Sequence, residues 1–170
     1  MTSLQILAAV LACLILGCVP IHPEERNKPG PFVGKQVILE SWGNGAPDLQ
    51  LSLPPGFTTE ITKGPDFDVH RMRHPDDIGV LSIYIGHHPN RDNEEGSERV
   101  RRKVGKRKVT FERSETEYGS FADALVPGFF KKEKGSGVSG LILYVFISAK
   151  DDHFYEQVWQ ILETLRTTAG

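Results

Sequence analysis

The chain has 170 residues, a length that suits one domain rather than two. Apolar residues make up 39% and charged residues 25%, ordinary globular proportions that exclude wholesale disorder. A formal charge of −2 is too small to call for nucleic acid or an acidic substrate as partner of the whole molecule, so any electrostatic function has to be local.

Leu4 to Gly17 reads LQILAAVLACLILG, fourteen positions with Gln5 as the one polar residue. A spanning helix needs roughly 20 apolar residues to cross about 30 Å of hydrocarbon, so this run is too short to be a permanent anchor. It has the length of the apolar region of a secretory signal. The small Gly17 leaves a peptidase room to approach the bond before Cys18. Ile15-Leu16-Gly17-Cys18 resembles the bacterial lipobox. The resemblance implies a diacylglyceryl thioether on Cys18, cleavage before it, and acylation, typically with palmitate, of the amino group released. It also implies a lipoprotein held at the cell membrane or outer membrane, facing the periplasm or exterior. Val19 stands where this class carries Asp for inner-membrane retention. The two cysteines are Cys13 and Cys18, so such processing leaves the mature chain no thiol for a disulfide or a metal, and packing alone must stabilise it.

Residues 19–36 carry four prolines and two glycines. Proline removes a backbone donor and fixes φ, which excludes helix and central strand. The expected organisation is a signal peptide at 1–17, the lipidated Cys18 with a Pro-rich tether to 36, and a single domain over 37–170.

Within that domain Val37-Ile38-Leu39 is a short strand closed by a Gly/Pro turn, and Leu49, Leu51 and Leu53 alternate with polar residues as a half-buried strand does. Pro54-Pro55-Gly56 turns the chain, and Phe57 to Ile61 is expected to pair back. Phe67–Met72 and Val80–Ile85 form a hairpin across His74–Gly79, with Leu81, Ile83 and Ile85 on one face. Arg99–Arg113 is a second hairpin about Gly105-Lys106, with Val100, Val104, Val109 and Phe111 as its apolar members. Residues 118–130 are ambiguous. Leu141–Ile147 places seven apolar residues in a row, the pattern of a strand covered on both faces, with Gly135-Ser136-Gly137 as a flexible approach.

The end reads as a helix. Asp151 or Asp152 can cap it, and Tyr155, Val158, Trp159, Leu162 and Leu165 make one apolar stripe, with Gln157, Gln160, Glu163 and Arg166 facing away. The expected fold is α+β: an antiparallel sheet of short strands with this C-terminal amphipathic helix packed on it. Leu51-Ser52-Leu53-Pro54-Pro55-Gly56-Phe57 near the start and Leu141–Thr164 at the end resemble the PsbP-like fold of small exported proteins. That family spans several roles, so the resemblance implies no activity.

Two clusters and one aromatic pair are candidates for function. Asp66, Asp68 and His70 share a strand face, and His87 and His88 end the neighbouring strand. Imidazole and carboxylate suit zinc, copper or nickel, so Asp68, His70 and His87 are the candidate ligands, set against a solvated strand face with turn acids. Residues 99–108, RVRRKVGKRK, hold seven basic side chains in ten positions. Arg101, Arg102, Lys106 and Lys108 are the candidates for holding anionic lipid, while the bland alternative is a hairpin that Lys and Arg protect from edge pairing. Phe129-Phe130 is either a partner contact or an anchor of its own loop. No nucleophile elbow, phosphate-binding Gly-rich loop or carboxylate pair across a cleft is evident. The expectation is a non-catalytic binding or scaffolding module on a lipid anchor, without cofactor and with a membrane or envelope protein as partner. The alternative is a metal-dependent enzyme or metal carrier using the His/Asp cluster.

Overall fold

Two sheets organise the protein, one of seven strands and one of three, in a computed structural model that describes residues 33–41, 45–89, 97–130 and 140–168. The leader, Cys18 and most of the tether lie outside the described residues, as do Gly135-Ser136-Gly137. Val33–Gly170 forms one compact unit.

The small sheet has the order β1 (Lys35–Leu39), β2 (Leu49–Leu53), β10 (Arg166–Thr167). β1 thus includes Lys35 and Gln36, which the proline-rich pattern groups with the tether. Leu49, Leu51 and Leu53 are all buried, as their alternation requires.

The large sheet is antiparallel throughout, in the order β3 (Thr58–Lys63), β4 (Phe67–Arg73), β5 (Gly79–Gly86), β9 (Ile142–Ala149), β8 (Gly119–Val126), β7 (Arg107–Thr116), β6 (Glu98–Val104). Both expected hairpins form: β4 pairs β5, and β6 pairs β7 across Gly105, whose φ of 56° suits a tight turn. One expectation needs correction, and one open segment is resolved. β3 pairs forward with β4 rather than back onto β2, whose neighbours are β1 and β10. The ambiguous segment 118–130 contains a full strand, β8.

The helix α1 (Asp152–Glu163) starts where Asp151 accepts a hydrogen bond from the Phe154 backbone N–H at 3.0 Å. Its buried side chains are Phe154, Tyr155, Val158, Trp159, Ile161 and Leu162, joined by Leu165 beyond its end. They meet the inward row of the large sheet, among it Leu81, Ile83, Leu143, Val145, Ile147 and Phe111, while β2 supplies its leucines. At the helix start Gly79 lets Phe154 approach: a Cβ there would stand 2.3 Å from the Phe154 ring. At the helix end the Gly105 N–H donates to the Leu162 carbonyl at 2.7 Å. The helix is therefore pinned at both ends by backbone too close to carry a side chain.

β9 alternates buried and half-exposed residues rather than being covered on both faces. Its inward Leu143, Val145, Ile147 and Ala149 are buried, while Tyr144 and Phe146 face outward and keep partial exposure. The helix supplies a second layer on one side of the sheet only.

Candidate anion-binding surface

The basic segment 99–108 becomes an arm. β7 pairs with β8 only through Glu112–Thr116, so Arg107–Phe111 pairs on one side, with β6. Side chains directly opposite across strands share a face, so Val104, Val109 and Phe111 point inward onto α1 and all are buried. Arg102, opposite Val109, points inward too. Its guanidinium lies 5.3 Å from the centroid of the Trp159 ring, a cation–π contact, and it is half-buried.

The other face of the arm carries Arg99, Arg101, Lys103 and Lys108, all exposed. Arg99 reaches Glu112 at 3.8 Å. Lys103 and Lys108 stand directly opposite each other. Among the described residues no carboxylate pairs with Arg101, Lys103 or Lys108. Lys106 sits at the turn, on the rim of a cleft of about 350 Å³ that Gln50, Ser52, Glu163, Thr164 and Arg166 also line. The structure thus separates the four expected cations. Arg101 and Lys108 share the outward face, Arg102 is stacked inward, and Lys106 lines a different concavity. Lys103, missed in the sequence, completes the outward set, and the parity of the hairpin register was the signal for it.

That outward face continues across the large sheet as an aromatic field. Phe121 and Phe146 stack with centroids 5.9 Å apart, and Phe67 and Tyr84 stack at 5.6 Å. Tyr84 and Tyr144 are opposite each other on β5 and β9. On the same face the registers set Glu112 opposite Asp123 between the arm and Phe146, so acids separate the cations from the rings, and no described layer covers this face.

A second inward cation repeats the Arg102 arrangement. Arg113 lies 4.7 Å from the centroid of the Tyr155 ring and bonds Asp152 at 2.7 Å, tying β7 to the first turn of α1.

The metal candidates fall in two places. Asp68 and His70 are neighbours on the inward face of β4, 0% and 4% exposed, not on a solvated face. Asp66 precedes the strand and is exposed, and His87 lies in the loop after β5. Among the described residues no group of three or more His, Cys, Asp or Glu is placed to hold a metal ion. Burial lowers the pKa of His70 from its usual 6.5; Asp68 and Asp48 oppose that shift, and Lys63 adds to it. His70 Nε2 is buried without a hydrogen-bond partner, which favours the neutral ring. The unfolded chain then holds the extra proton, so the stability from His70 is complete above about pH 6.5 and is lost as pH falls through the lower folded value. Thermal melts at pH 7 and pH 5 should show a larger drop for the wild type than for His70→Leu. Equal drops would show that other groups set the acid limit.

Phe130 is buried and meets Phe129 edge-on at 5.4 Å, so this pair anchors its own loop. No described helix is long and apolar enough to cross a membrane. Compared with known proteins, the chain matches no family model, no curated protein and no solved structure, so the lipobox and PsbP-like resemblances stand on the residues that suggest them.

Proposed function

We propose that this chain is a lipid-anchored envelope protein whose domain works by binding, and that it lays the outward face of the β6–β7 arm on anionic lipid headgroups. The observation that carries the reading is the direct opposition of Lys103 and Lys108, with Arg101 on the same exposed face. Like charges opposite each other across strands destabilise a hairpin. A phosphate bridging them converts that repulsion into attraction. The aromatic residues farther along the same face of the sheet suit the interface of a bilayer, where Tyr and related rings sit at headgroup level. The 16 residues between Cys18 and β1 would reach about 22 Å as a coil, enough to clear the headgroups while keeping the domain beside the leaflet.

The test is vesicle binding by the domain from residue 33 onward, using phosphatidylcholine with and without phosphatidylglycerol. Each cation near an anionic surface contributes about 1 kcal/mol. The triple variant Arg101→Gln, Lys103→Gln, Lys108→Gln should therefore bind anionic vesicles roughly a hundredfold more weakly at low salt. Its melting temperature should not fall, because all three side chains are exposed and the change removes the Lys103–Lys108 repulsion. Arg102→Gln should instead lower the melting temperature, since it removes the contact with Trp159. Equal binding of the wild type to neutral and anionic vesicles at low salt refutes the surface, and the cations then serve only to guard the β6 edge.

A further inference from the structure

The cleft beside the arm has locked walls and charges that leave one another alone. Three segments form it: the β6–β7 turn with Lys106, the end of α1 with Glu163, and the paired strands β2 and β10 with Gln50 and Arg166. Hydrogen bonds fix these segments to each other. The Gly105 N–H donates to the Leu162 carbonyl at 2.7 Å, and the Ser52 N–H donates to the Thr164 hydroxyl at 2.8 Å. Arg166 Nε donates to Gln50 at 2.9 Å, and Gln50 donates in turn to Gln36 at 2.9 Å. That relay orients the guanidinium and leaves its two terminal amino groups unbonded among the described residues.

Lys106, Glu163 and Arg166 all line this cleft, yet among the described residues no ion pair joins Glu163 to either cation. Glu163 is also badly placed for stability. It ends α1, where the helix dipole disfavours an acid, and the last turn holds no base to offset it. A ligand that satisfies all three charges must carry both signs. A guanidinium with two free amino groups grips a phosphate or carboxylate, and tetrahedral phosphate oxygens also suit a second cation entering from another segment. A carboxylate accepts from a primary ammonium, which has three N–H donors. A quaternary ammonium has none and calls for aromatic rings, and no aromatic residue lines this cleft among the described residues. Its volume of about 350 Å³ falls within the range of small-molecule sites. We infer that the cleft binds a phosphoethanolamine zwitterion, its phosphate on Arg166 and Lys106 and its ammonium on Glu163. The same chemistry occurs on an ethanolamine phospholipid and on the free glycerol diester.

The test titrates the full-length chain, in maltoside micelles, with glycerophosphoethanolamine and with glycerophosphocholine in a calorimeter. The choline diester carries the same charges without an N–H donor, so the ethanolamine diester should bind about tenfold more tightly. Glu163→Gln should abolish that preference and weaken the ethanolamine diester about tenfold. Its melting temperature should hold or rise, because the conflict with the helix dipole is gone. Arg166→Gln should weaken both diesters. Mixed micelles containing dioleoylphosphatidylethanolamine should displace the free diester where the ligand is a lipid headgroup, and dioleoylphosphatidylcholine should not. A diester that neither lipid displaces assigns the cleft to the soluble zwitterion. No binding of the ethanolamine diester, equal affinity for the two diesters, or a Glu163→Gln chain that keeps the wild-type preference overturns the inference. Arg101, Lys103 and Lys108 do not line this cleft, so their triple variant should bind the diester as the wild type does. The cleft and the anionic surface of the arm therefore fail separately.

Discussion

Phe154→Ala is expected to destabilise the domain by about 3–5 kcal/mol, the usual cost of emptying a buried aromatic site. Phe154 is fully buried and fills the joint between the first turn of α1 and the β4–β5 hairpin. Its ring lies 6.3 Å from that of Phe57 and 5.9 Å from that of His74, and the close approach of Gly79 leaves no side chain to fill the hole. Against a typical total of roughly 5–15 kcal/mol, a loss of this size removes a large share of the margin. Gln160→Ala, on the same helix but half-exposed, should shift a urea midpoint by almost nothing. Comparable shifts at 154 and 160 would contradict the assigned helix face.

The second large effect concerns the anchor. Cys18→Ala is expected to abolish incorporation of labelled palmitate and to leave a precursor that the lipoprotein peptidase does not cut. Two or more acyl chains, at about 0.8 kcal/mol for each buried CH₂, hold a protein at a bilayer for its lifetime, and the variant loses that hold. Intact-mass spectrometry of the wild type should correspondingly show a chain beginning at a lipidated Cys18. A variant still cut after Gly17, with label retained, would sink the lipoprotein reading.

Elements whose burial follows a simple period were legible before the structure. Leu49, Leu51 and Leu53, the β4–β5 and β6–β7 hairpins, and the helix stripe from Tyr155 to Leu162 all sit where alternation or helical spacing put them, whereas the helix stops at Glu163, leaving Leu165 buried beyond its end and Arg166, expected on its outer face, in β10. Phe154 and Ile161 were missed for a physical reason. α1 meets both the large sheet and β2, so its buried arc is wider than one stripe. β8 was unreadable because its hydropathy is inverted. Its inward Ser120, Ala122 and Ala124 are small, while the bulkier Phe121 and Leu125 point outward. The same open face explains β9, whose apolar run looked doubly covered. The candidate surface was half legible. The basic run was plain, but the separation of Arg102 from Arg101 and Lys108 depends on Trp159, which is distant in sequence and adjacent only in the fold. The burial of Asp68 and His70 on the inward face of β4 likewise depends on tertiary neighbours.

The strand order has a consequence for how the chain reaches this state. β9, the middle strand of the large sheet, follows all the sheet's other strands in the chain, and it joins β5, made far earlier, to β8. Gly79 must wait for Ala149, and the core must wait for α1, before either side of the sheet has its central partner. Such non-local closure slows folding, because loop entropy is lost before contacts compensate it. Until then the β4–β5 and β6–β7–β8 ribbons exist as separate pieces with apolar faces exposed. Nascent chains not yet extended through β9 and α1 should therefore remain in an uncollapsed, chaperone-dependent form rather than as a partly finished domain.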